Sequence, residues 1–168
     1  MAQHPFPSVL SSSGYSARLP LSDSIVHLNN ACGDILIRPR ILLADDHPAL
    51  LEAEIAVLSP FFDVVGTAVD GGELVSKAHS LRPDLIVTDI SMPVLNGIDT
   101  AHKLRESGST AIILFLTIHS EKEFVDACMG AGALGYVQKH HMRHQLVPAI
   151  QAALAGKSYV SQHNDSTK

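Results

Sequence analysis

From Pro39 onward the apolar residues fall into short runs separated by longer stretches of helical spacing. Residues 41–44 form a run that stops at Asp45. Leu50, Leu51, Ile55 and Leu58 then recur at helical intervals across Pro48–Leu58, with Pro48 suited to a first turn. Residues 63–69 read as a second strand and Gly71–Leu81 as a second helix. Leu85–Thr88 is another buried run, ending at Asp89, and Gly108 stops a helix over Gly97–Glu106. Residues 111–116 make the most continuous apolar run and lead into Thr117. A helix over 121–129 carries acids in its first turn, where they complement the dipole. A last strand over 134–137 ends near Lys139, and a final helix reaches about Ala155, before Gly156.

Five strands thus alternate with five helices. Strands this apolar are covered on both faces, which predicts an α/β, doubly wound fold around a parallel sheet. Residues 1–39 differ. Serines lie among Pro5, Pro7 and Pro20 with weak periodicity, so they read as a flexible N-terminal extension, with at most a short element at 19–28. Residues 40–160 form the domain, and 161–168 a polar tail.

Apolar residues make up 46% and charged residues 17% of the chain, which places it among globular proteins. A net charge of −5 gives no overall positive field toward nucleic acid or anionic lipid. No stretch is apolar for long enough to span a membrane, and the first residues lack the pattern of a secretory signal. Cys32 and Cys128 have no metal-type spacing and read as reduced thiols, Cys128 within an apolar helical pattern, so a soluble cytoplasmic protein is expected.

The informative polar residues follow strands. Asp45 and Asp46 follow the first, Asp89 the third, Thr117 the fourth and Lys139 the fifth. In an open parallel sheet these ends share one edge, and ligands bind where the strand order reverses. With order 2-1-3-4-5, strands one and three are neighbours, and the three carboxylates converge; with order 3-2-1-4-5, Asp89 is stranded. Converging carboxylates repel and ask for a hard cation such as Mg2+, which also favours phosphate. One carboxylate can then act as nucleophile, with Thr117 donating to a phosphoryl group and Lys139 neutralising it. Singly, each residue has a plain alternative: a turn former, a β-branched strand end, a solvated lysine. Their agreement at four strand ends carries the reading.

These segments resemble the receiver domain of two-component response regulators. The similarity runs through ILLADDHPAL, DLIVTDISMPVLNG, ILFLT and GYVQK, and the Asp-Asp-His-Pro run and the late Gly-Lys-Ser-Tyr-Val resemble the NarL/FixJ-type branch. The resemblance implies a (βα)5 flavodoxin-like fold and a phosphorelay role without enzymatic turnover of outside substrates. Asp89 would accept a phosphoryl group from a histidine kinase or phosphotransfer protein. Asp45, Asp46, Asp89 and the Ser91 carbonyl would hold Mg2+. Thr117 and Lys139 would read the phosphorylated state, and Tyr136 would be a rotameric switch, or else a static half-buried ring. Signalling would pass by a change of shape to a downstream protein, with homodimerisation common among such folds.

Three positions depart from the family pattern. Ile118 stands where a small residue is usual, which would narrow the approach to Asp89. His140 replaces a common proline. Pro148 interrupts the last helix, which must start late or kink. The chain also stops at Lys168, without room for the helix-turn-helix that usually follows, so output through a partner protein is expected and direct DNA binding is not. Ser91 and His119 flank the site and are expected to influence phosphoryl lifetime. Competing readings are a phosphorylation-independent binding module, a metal-binding module using His140, His141 and His144, and an aspartyl-phosphate hydrolase. The last wants an acid where Ser91 stands.

Overall fold

The computed structural model describes residues 38–161. Residues 1–37 of the expected 1–39 extension, with its short element and Cys32, and residues 162–168 of the expected 161–168 tail lie outside the described residues. The elements are β1 (Arg40–Ala44), α1 (Pro48–Leu58), β2 (Asp63–Ala68), α2 (Gly71–Leu81), β3 (Leu85–Thr88), α3 (Gly97–Glu106), β4 (Ile112–Thr117), α4 (Lys122–Gly130), β5 (Gly135–Gln138), α5 (Met142–Leu154) and β6 (Tyr159–Val160). A 3₁₀ turn, Lys139–His141, joins β5 to α5.

The sheet is parallel throughout, in the order β2-β1-β3-β4-β5-β6. The expected 2-1-3-4-5 order is present, but the sheet has six strands, not five. The added β6 has two residues, too short for periodicity to register, and exists because it pairs with β5: Tyr159 N donates to Leu134 O and Ser161 N to Tyr136 O. β4, α4 and β5 each lie one residue later than the apolar spacing predicts, so Thr117 closes β4 instead of following it.

Alternation along the strands divides the core into two layers. Leu42, Ile86, Phe115 and Tyr136 face Leu74 of α2, Leu104 of α3 and Cys128 of α4. Ile41, Leu43, Val87, Leu114 and Val137 face Leu51 and Leu58 of α1 and Leu146 and Ile150 of α5. Each large aliphatic side chain so buried contributes about 1.5–3 kcal/mol. Asp70 and Asn96 cap α2 and α3 by accepting from the amides of Glu73 and Asp99.

Pro148 lies inside α5, so the helix does not start late. Pro148 and His144 are both exposed, and the carbonyl that loses its helical partner is on the watered face, where the loss costs least.

Gly97 fixes the start of α3 against the loop that follows β3. Its amide donates to Ile90 O at 2.8 Å. A Cβ there would sit 2.0 Å from Asp89 O and 3.1 Å from Ile90 Cα, so the helix approaches this loop only because residue 97 is glycine. Gly97→Ala is expected to cost at least the roughly 1–3 kcal/mol typical of overpacking, because the clash is with backbone. A fall in the urea midpoint with unchanged slope checks it.

Candidate functional site

Ala44 and Thr88 are register partners on the neighbouring strands β1 and β3, so Asp45 and Asp89 leave the sheet side by side. Both are buried. Lys139 comes from beyond β5, two strands from β3, and reaches back along the edge. Its Nζ lies 2.5 Å from Asp45 Oδ2 and 2.7 Å from Asp89 Oδ2, with 9% of the side chain exposed. Burial alone would lower the Lys139 pKa, but its bonds to Asp45 and Asp89 carry it above the ordinary value, so the ammonium stays charged at neutral pH. The remaining oxygens are tied to backbone. Asp89 Oδ1 accepts from Ile90 N at 2.6 Å and Asp45 Oδ1 from His47 N at 2.9 Å.

Asp46 stands beside this pair at the solvent boundary. His47, read from the sequence as part of a family pattern, brings Nδ1 to 2.8 Å from Asp46 Oδ1 and 3.3 Å from Asp45 Oδ1. The Asp46 contact lacks hydrogen-bond alignment, which leaves Oδ1 a buried oxygen without a donor. Ligand atoms of Asp45, Asp46 and His47 all lie within 4.8 Å of one another. A cluster of carboxylate oxygens with an unsatisfied member fits a hard divalent cation.

Among the described residues this is the only such group of three, and His140, His141 and His144 do not form another. The rings of His140 and His141 are 4.1 Å apart, but both belong to the 3₁₀ turn and His144 to α5, so helical spacing does not carry across the three. The metal-binding alternative based on them finds no support.

The family model described as response regulator receiver domain matches residues 41–151. The chain belongs to the response regulator receiver family. It is 36% identical over 124 residues to the nitrate/nitrite response regulator protein NarL of Escherichia coli, an alignment that covers 73% of this chain and 57% of NarL. The chain thus spans little more than half of the relative, which carries further sequence. Among solved structures, a LuxR-family two-component response regulator from Aurantimonas superposes with a TM-score of 0.69 at 35% identity, covering 73% of this chain and 89% of that one. The signal receiver domain of the putative NarL from Mycobacterium tuberculosis gives 0.68 at 28%, covering 71% and 98%. The isolated receiver of RcsB from Salmonella enterica, solved in the presence of a phosphomimetic, gives 0.69 at 25%, covering 74% and 94%.

In this receiver the remaining sequence candidates meet around His119. Thr117 is fully buried, and its Oγ1 accepts from His119 N at 3.4 Å. The Tyr136 ring is 1% exposed, not half-buried, and its hydroxyl donates to His119 O at 2.9 Å. Ser91 Oγ lies 3.0 Å from His119 Nε2, so the loops after β3 and β4 touch across the edge that holds Asp89. The His119 ring stacks on Phe124 of α4, centroids 4.0 Å apart. Ile118 is 69% exposed and stands at the rim without packing into it.

Sequence reasoning missed Glu54. It lies on α1 at 1% exposure, between Leu51 and Leu58 on the stripe that faces the core, and its Oε2 has no partner. The signal was available: 51, 54 and 58 share a helical face, and a charged residue in that series is out of place. Burial first, then Asp45 and Asp89, push its pKa up to about 8, against an opposing pull from Lys139. The folded state therefore holds a proton that the unfolded state releases above about pH 4.5. This penalty grows as pH rises from there to about 8 and then levels off. Glu54→Leu is expected to stabilise the fold and raise the melting temperature, the gain in stability widening between about pH 6 and pH 8 to several kcal/mol at the upper end. Thermal unfolding across that range checks it.

Proposed function

We propose that the chain is a phosphorelay receiver that accepts a phosphoryl group on Asp89 and signals by a change of conformation. The observation that carries this reading is the Lys139 ammonium held between Asp45 and Asp89 at the switch point of the sheet. It leaves one carboxylate at the site of reaction beside a cation able to take charge from an arriving phosphoryl group.

A carboxylate oxygen of Asp89 attacks phosphorus of a phosphohistidine on a partner kinase or phosphotransfer protein. The new P–O bond forms as the P–N bond breaks, and the bonding pair leaves with the imidazole nitrogen, which takes a proton. The backbone amide of Ile90 orients the Asp89 carboxyl. Lys139 follows the negative charge onto the phosphoryl oxygens, and Thr117 turns its hydroxyl toward them, giving up its contact with His119 N. Asp45, Asp46, Asp89 and the Ser91 carbonyl would hold Mg2+, which when bound neutralises the carboxylates and the phosphoryl oxygens.

The release of His119 N gives the signal a path. His119 carries the Tyr136 hydroxyl on its carbonyl and Phe124 on its ring, so a shift of Thr117 reaches α4 and β5 together. A protein partner, with a second copy of this chain as one candidate, reads that surface. The chain is a signalling phosphoacceptor whose only catalysis is on its own phosphoryl group. We place it in the cytoplasm, supported by the free buried thiol of Cys128 and by the absence, among the described residues, of a helix able to cross a membrane.

Incubation with acetyl phosphate and Mg2+ tests the reading by intact mass. The expected outcome is a base-labile gain of one phosphoryl group that is lost with a chelator and absent in Asp89→Asn. Lys139→Ala is expected to slow the gain by two orders of magnitude or so, the scale for loss of one charge-stabilising group. No gain in the unmodified chain would reject it.

A further inference from the structure

Gln138 is a polar residue that the mechanism above leaves unused. It closes β5 with 3% of its surface exposed, and its Oε1 is buried without a donor. An apolar residue there would avoid that cost, since buried polar groups are nearly always paired. Its place in the sheet is specific. Gln138 is the register partner of Thr117 across β5 and β4, neighbouring strands that lie ~4.8 Å apart. Alternation puts both side chains on one face. Phe115 and Tyr136, two residues earlier on each strand, are also register partners and share the layer that meets α2, α3 and α4.

The proposed turn of Thr117 toward the phosphoryl group leaves the His119 amide without its acceptor. That bond is 3.4 Å long, beyond the usual range, so Thr117 gives it up readily. His119 is pinned elsewhere. Its carbonyl accepts from Tyr136, its Nε2 meets Ser91 Oγ and its ring stacks on Phe124, which leaves the amide little freedom to turn. A replacement acceptor has to lie close by. Among the described residues four buried side-chain oxygens lack an aligned donor: Asp45 Oδ2, Asp46 Oδ1, Glu54 Oε2 and Gln138 Oε1. Asp45 and Asp46 follow β1, two strands from β4, and Glu54 lies on α1 across the sheet. Gln138 alone is on a strand next to β4 and on the face that Thr117 occupies.

We propose that Gln138 is a positioning residue for the signalling state: its Oε1 takes the His119 amide as Thr117 turns to the phosphoryl group. The inference rests on the phosphoacceptor reading given above and says where the freed amide goes. One N–H···O bond is exchanged for another, and an acceptor idle at rest becomes paired. The loop after β4 is thereby held in its displaced position, and with it the surface of α4 and β5. The same oxygen weakens the resting state, in which it is unpaired, and strengthens the loaded one.

Beryllofluoride with Mg2+, a mimic of a phosphoryl group on aspartate, loads the full chain for NMR and thermal unfolding. In the unmodified chain, loading is expected to slow exchange of the His119 amide by about twofold to tenfold, the worth of one net hydrogen bond. The Gln138 carboxamide resonances should shift in the same titration, which needs no substitution. Gln138→Met keeps the size and flexibility of the side chain but lacks the carbonyl. It is expected to raise the melting temperature of the unloaded chain and to reduce the further rise that loading brings. A residue that only packs would shift both states alike. A Thr117 response accompanied by faster exchange at His119, or by unmoved Gln138 resonances, overturns the proposal alone. So does an equal gain on loading in Gln138→Met and the unmodified chain. No response at Thr117 overturns it together with the phosphoacceptor reading beneath it.

Discussion

Two carboxylates buried on neighbouring strands repel each other, and the ammonium of Lys139 between them is what allows Asp45 and Asp89 to share one sheet edge. At the separations found here, an ion pair in a partly buried setting is worth several kcal/mol against the cost of desolvating its members. The fold is arranged to deliver that ammonium. β5 has to lie two strands from β3, the 3₁₀ turn has to direct Lys139 back along the edge, and Gly97 has to let α3 close on the loop that carries Asp89. What results is a pocket whose charges are paired but not saturated, since Asp46 Oδ1 still lacks a donor. Such a rim fits a hard divalent cation and, on the function proposed above, a phosphoryl group.

Much of this was legible in the sequence because it depends on local patterns repeated along the chain. The apolar runs ended at Asp45, Asp89, Thr117 and Lys139, and a parallel sheet brings strand ends to one edge whatever its fine register. The requirement that Asp45 meet Asp89 selected the strand order, and the order observed agrees. Burial of the runs on both faces held as well, with α1 and α5 on one side and α2, α3 and α4 on the other.

What escaped depends on contacts between distant segments. β6 is two residues long and is a strand only through its bonds to Leu134 and Tyr136. His119 was seen as a flanking residue, but its role as the meeting point of Ser91, Thr117, Tyr136 and Phe124 needs the β3, β4 and β5 ends in three dimensions. The histidines at 140, 141 and 144 would share one face only on a continuous helix, and the 3₁₀ turn ends before α5 begins. Glu54 escapes the apolar pattern because a charged residue on a helix ordinarily faces water, and this one faces the core, where burial above all keeps its proton on.

The central claim is that Asp89, and no other carboxylate of this crowded edge, forms the acyl phosphate. Borohydride reduces an aspartyl phosphate to homoserine, so treatment after phosphorylation, followed by peptide mass mapping, reads the position directly. Homoserine at residue 89 alone is the expected result. Homoserine at Asp45 or Asp46, or reduction spread over several positions, would contradict it.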